Sequence, residues 1–277
     1  MARLSELMEA DAPPEKKAIY AEVRACCRTP MVALIYRHLG SLDGVLEWAW
    51  GALGPAMRSG VLPAAAAEVA DATPQLDVTP YDAAAVAAFD LRQMDRDAIR
   101  YVIGGYHAAN PCNILAVLTL HALLAEPEGH GTPAPLPVPG ATVPGQVLPP
   151  LPPMVAPADL PPAVDLLRPK KAGEVGLVPS LYRHLAHWPA WLSDAAESRI
   201  APLYAAGEID RAGSALRSLA DERAAIMAAE ARAHDGAAGR PVGADREKLR
   251  DTLAAFVETI PAFIVVGQVL KRTLPNP

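Results

Sequence analysis

The sequence predicts an all-α protein made of two helical repeats joined by a long proline-rich linker. Three observations predict it. Apolar residues recur at helical spacing on both flanks of the chain, among abundant Ala and Leu, and no alternating run makes a convincing strand. Thirteen of the 29 prolines crowd between Pro133 and Pro169. Short words of sequence also recur in the same order at nearly constant offset.

The elements follow in order. An amphipathic run opens at Ala18-Ile19-Tyr20 and ends before Pro30, because the residue preceding a proline is pushed out of the helical region. A second helix is expected over Val32–Leu39, and Ser41-Leu42-Asp43 starts a third that carries Glu47, Trp48 and Trp50. Asp82 and Asp95 mark two further helix starts, since carboxylates near an N-terminus complement the helix dipole. The stretch from Pro133 to Pro169 has too few amide donors for a helix or a central strand, so it is expected as an extended connector lying over the surface. A proline-rich ligand for a partner's aromatic groove is its other reading.

The repeat fixes the organisation. Tyr36-Arg37-His38-Leu39 recurs as Tyr182-Arg183-His184-Leu185, an offset of 146. Pro55 and Gly60 are echoed by Pro202 and Gly207 at 147, and Asp95-Arg96, Arg100 and Pro111 by Asp245-Arg246, Arg250 and Pro261 at 150. Residues 1–127 are therefore expected to form the first repeat, 128–162 the linker and 163–277 the second repeat, docked as a pseudo-dimer.

Composition narrows the function. A net charge of −6 with scattered cations offers no basic stripe to a nucleic acid. Three cysteines without CxxC spacing predict neither a disulfide framework nor a zinc site, and point to a reducing compartment. The N-terminus does not read as a secretory signal, and Ile114–Ala125 and Ile260–Leu270 are shorter than a membrane span needs. A soluble cytoplasmic protein with no nucleic-acid or membrane partner is expected; a homodimer stays open. No phosphate loop, dinucleotide fingerprint, HExxH or nucleophile elbow is present. Gly104-Gly105 is expected to permit close helix packing, Cys26-Cys27 to pack in the core, and His38 and His184 to serve structure.

Symmetry breaking is the more informative signal. Asn110, before Pro111, stands opposite Ile260 in the repeat alignment, so a side-chain amide occupies only one of two equivalent positions. It either caps the Pro111 segment or positions a water or a carboxylate.

The runs Tyr20–Trp50, Asp95–Leu120 and Val178–Leu192 together resemble the group I 2-haloacid dehalogenases. The resemblance implies an all-helical pseudo-dimer that hydrolyses 2-haloalkanoic acids without metal or organic cofactor, an aspartate activating water for direct attack on the α-carbon and an asparagine holding that water. Asn110 matches the asparagine. The aspartate's position, after Ser180 and eight residues before Pro189, is Leu181. Met31 and Leu34 stand where the resemblance places bulky aromatics, and Asn113 where it places a tyrosine. His184 and Glu258 are the candidates for a replacement base. The pocket is expected between the halves, near Asn110, Asn113, Ser180 and Leu181, with apolar walls from Met31, Leu34 and Tyr182. Two functions follow: a dehalogenase with an altered base or substrate, or a non-dehalogenating binding protein for a small carboxylic or apolar ligand.

Overall fold

The computed structural model describes residues 4–139, 148–170, 172 and 178–275. Among these residues the regular structure is all helical, with no strand. The first half holds α1 (Pro14–Cys27), α2 (Leu34–Gly40), α3 (Val45–Arg58), α4 (Val61–Asp71), α5 (Ala83–Ala88) and α6 (Gln93–Leu123). The second holds α7 (Ser180–Leu185), α8 (Pro189–Ala195), α9 (Ala201–Ala205), α10 (Glu208–Ala231) and α11 (Gly243–Thr273), with a π turn at Ala196–Ile200 fusing α8 to α9.

Local sequence sets the boundaries. Asp82 caps α5 by accepting the Ala85 amide at 2.8 Å. At the start of α6, Asp95 accepts the backbone amide of Arg92 at 3.0 Å. Gly60 and Gly207 precede α4 and α10 with φ of +82° and +68°, a conformation open to glycine and costly for other residues. The two longest helices match most closely: α6 and α11 are each 31 residues, start 150 positions apart and carry Pro111 and Pro261 inside.

These two helices pack against each other at the centre, with α10 beside them, and one continuous core runs through both halves. Helix α11 contains a stretch long and apolar enough to cross a membrane, but 83% of that window is buried in the protein. The sequence-based limit placed on Ile260–Leu270 was too short because the helix continues on either side of it. The thiols are free, with Cys27 and Cys112 buried; a Cys27–Cys112 hydrogen bond and burial push the Cys27 thiol well above its usual range.

Of residues 128–162, expected to form the linker, 128–139 and 148–162 are described, and 140–147 lie outside the described residues. It is extended and largely exposed up to Pro139, and Gly131 and Thr132 within it donate to the carbonyls of Asp235 and Ala233. Its end behaves differently. Val155 donates to the carbonyl of Arg183 at 3.1 Å, just as Leu7 donates to that of Arg37 at 2.9 Å. An arm thus lies against the YRHL helix in each half.

Glycines give two predictions of opposite sign. A Cβ at Gly104 would meet nothing within 4 Å, so Gly104→Ala should raise unfolding stability by about 0.8–1 kcal/mol through helix propensity. Gly239 has φ +73°, and a Cβ there would collide with the Gly44 carbonyl oxygen. Gly239→Ala should therefore cost about 1–2 kcal/mol or more. Denaturant melts of both variants check the pair. Gly105, unlike Gly104, faces Pro30 closely.

Candidate functional site

The cavity between the halves is built from three short pieces of chain and a fourth that closes it. Residues Ala33, Leu34 and Ile35 open α2, and Pro179, Ser180 and Leu181 open α7. One face of α6 supplies Tyr106, Asn110 and Asn113, at i, i+4 and i+7, and α11 supplies Phe256, Ile260 and Phe263. These twelve residues form six pairs at the repeat offsets: 33/179, 34/180 and 35/181 at 146, and 106/256, 110/260 and 113/263 at 150. The cavity therefore sits where α2 and α6 of the first half face α7 and α11 of the second. Its polarity is one-sided, because Tyr106, Asn110 and Asn113 oppose Phe256, Ile260 and Phe263.

The cavity offers about 50 Å³ of space, above the ~10–15 Å³ that a single water needs. Asn113 donates to the Asn110 Oδ1 at 3.5 Å, the long limit of a hydrogen bond, which leaves both amides free to turn toward a ligand. No carboxylate, imidazole or thiol lines the cavity among the described residues. A larger open groove of about 990 Å³ lies between α1, α4 and α6. It draws on the first half and Leu148 alone, and its Arg24 and Arg58 are already paired with Glu9 and Glu22.

The sequence-selected residues separate cleanly. Leu34, Asn110, Asn113, Ser180 and Leu181 all line the cavity. Met31 does not: it precedes the turn into α2 and packs, half-buried, against the core. Tyr182 does not either. One residue past Leu181 on α7 it points elsewhere, donating to the Leu167 carbonyl at 2.8 Å with its ring edge-on to Phe263. Neither proposed base reaches the space. Glu258 is on the exposed side of α11, paired with Arg217, and buried His184 lies outside the lining, its ring centroid 5.8 Å from that of Tyr106. Ala33, Ile35, Tyr106, Pro179 and the three α11 residues were missed as lining residues, although applying the offsets to Asn110, Asn113 and Leu181 finds Ile260, Phe263 and Ile35.

A charged cluster backs the cavity. Arg37 Nη2 donates to the Ser180 hydroxyl at 2.8 Å, and its Nε donates to Glu6 at 2.9 Å. Arg183, the repeat mate of Arg37, approaches the other Glu6 oxygen at 3.8 Å. Burial, helped by His187 and by Arg183 and Arg37, lowers the His184 pKa to about 4. His184 is therefore neutral near pH 7. The folded state binds its proton less well than the unfolded chain does, so this contribution to stability is full above about 6.5 and is lost as pH falls toward 4. Urea titrations between pH 7 and 4 should show that loss, and His184→Gln should flatten part of it.

No family model and no curated protein matches the chain. Solved structures do. The chain is similar to a D-2-haloacid dehalogenase mutant in complex with D-2-CPA, with a TM-score of 0.72 and 17% identity over 99% of this chain and 97% of that one. It is similar to D-2-haloacid dehalogenase with L-LA, at 0.72 and 16% over 98% and 96%, and to a structure of a D-2-haloacid dehalogenase mutant, at 0.71 and 17% over 98% and 96%. The all-helical architecture expected from the sequence is thus matched along almost the whole length of both chains, and the protein has a 2-haloacid dehalogenase-like fold.

Proposed function

We propose that this protein binds a small carboxylic acid with a short apolar chain in the Asn110–Leu181 cavity and does not dehalogenate it. The carrying observation is the lining: Tyr106, Asn110, Asn113 and Ser180 can hydrogen-bond, but nothing there can take a proton from water at neutral pH. Leu181 occupies the position where the resemblance requires the aspartate. The other walls suit a ligand of a few carbon atoms. The six lining pairs and the matched long helices support an origin of the scaffold by duplication, with the prolines as its connector. Free thiols support a cytoplasmic setting.

Calorimetric titration with both enantiomers of 2-chloropropionate, followed by halide assay of the same samples, tests this. Binding without halide release is expected, and Asn110→Leu should weaken binding about tenfold or more, the loss of one hydrogen bond to a charged group. Halide release by the unmodified protein would replace this reading with that of an active dehalogenase using another base. Binding indifferent to Asn110→Leu would move the ligand elsewhere.

A further inference from the structure

Glu6 is an unusual occupant of the seam between the halves. It belongs to the N-terminal arm, ahead of α1, yet its side chain is only 10% exposed and lies between Arg37 and Arg183, themselves 5% and 10% exposed. Those arginines come from the same position of the two YRHL words. The fold thereby brings two equivalent guanidinium groups to one point, and a single carboxylate lies between them. Its counterpart on the second arm, matching Leu7 with Val155, is Met154, so the carboxylate is supplied once for both halves.

The arginine pair also communicates with the cavity. The Nη2 of Arg37 that bonds Glu6 also donates to the hydroxyl of Ser180, and Ser180 lines the cavity. Beside it, the buried hydroxyl of Tyr106 has no well-formed hydrogen bond among the described residues. A guanidinium presents several donors in one plane and suits a carboxylate better than any other buried group here.

We infer that the Arg37–Arg183 pair is a carboxylate-binding site opening onto the cavity at Ser180, and that Glu6 is its built-in, displaceable occupant. A small acid places its carboxylate on Arg37 and Ser180 and its alkyl end toward Phe256 and Ile260, while Glu6 and its arm withdraw. Besides Glu6 the arm is held by the Leu7 amide on the Arg37 carbonyl, the Tyr20 hydroxyl on the Leu7 carbonyl, Ser5 on His38 and Ser41, the Glu9–Arg24 ion pair and the packing of Leu4 and Leu7 on the core, contacts that must shift with it. This inference rests on the cavity being a ligand site and adds what recognises the acid and what competes with it.

Calorimetric titration of propionate and of propionamide into wild-type and Glu6→Gln protein reads the competition. Glu6→Gln is expected to bind propionate at least tenfold more tightly than wild type, with propionamide unchanged. Equal propionate affinity in the two proteins, including none in either, or an equal gain for propionamide, overturns the inference. If Glu6→Gln does not fold, the melting temperature of Glu6→Ala is followed against propionate concentration. A rise with propionate and not with propionamide or chloride supports the site, and a flat response overturns it. Sensitivity of wild-type binding to Asn110→Leu is measured separately, so the cavity can stand when the role of Glu6 falls.

Discussion

Leu181→Asp should release halide from 2-chloropropionate at roughly 10²–10⁴ times the rate of the unmodified protein, the range a positioned general base contributes. Leu181 is 2% exposed, opens α7 and faces the cavity beside Asn110. A carboxylate there would share a water with the Asn110 amide. The apolar walls around it disfavour the charged form and raise its pKa, which makes it a stronger base. The same burial costs stability, about 1–3 kcal/mol if the carboxylate is left without a partner, so the variant should melt below wild type. Recovery will be partial if Asn113 and Leu34 shape the space differently from an active site. A folded Leu181→Asp protein without halide release, assayed by ion chromatography with each enantiomer, would refute the proposal that Leu181 stands at the position of a catalytic aspartate.

Arg240→Ala should be strongly destabilising, lowering stability by about 3–5 kcal/mol, the range for breaking a buried ion pair. In a chain of this size that is a fall in melting temperature of roughly 10 °C. Arg240 and Asp235 have side chains 2% and 3% exposed and are joined at 3.0 Å. Asp235 also accepts the indole N–H of Trp48 at 2.8 Å. The other Arg240 nitrogens donate to the carbonyls of Leu123, Glu126 and Pro127, where α6 ends and its last carbonyls lack helical partners. One side chain therefore caps the central helix of the first half from a loop of the second. Truncation leaves the buried Asp235 carboxylate with only the Trp48 indole and takes the guanidinium donors from the Leu123, Glu126 and Pro127 carbonyls. A melting temperature within about 2 °C of wild type would show that water replaces the guanidinium.

Much of the fold is legible in the sequence because its signals are local. Helical periodicity, Asp82 and Asp95 at helix starts, and prolines crowded into one stretch each act within a few residues of where they stand. The repeated YRHL words and Pro111/Pro261 add something longer in range, since equal segments fold alike. Leu181 and the amide at Asn110 are singled out in the sequence, and both residues line the cavity. Met31 and Tyr182 show the limit of such reasoning. Each stands close in sequence to lining residues, but one step along a helix turns a side chain by about 100°, and only packing decides which direction meets the cavity.

By itself the sequence determined the helical class and marked Asn110 as a polar residue whose counterpart, Ile260, is apolar. The tertiary structure alone decided that six residues and their six repeat mates enclose one space, and that Glu6 and Arg240 each tie distant segments together. The reason is range. Helix formation depends on neighbours three and four residues away, whereas burial of a charge beside partners 31 to 177 positions distant becomes favourable only after the two halves have docked and excluded water between them.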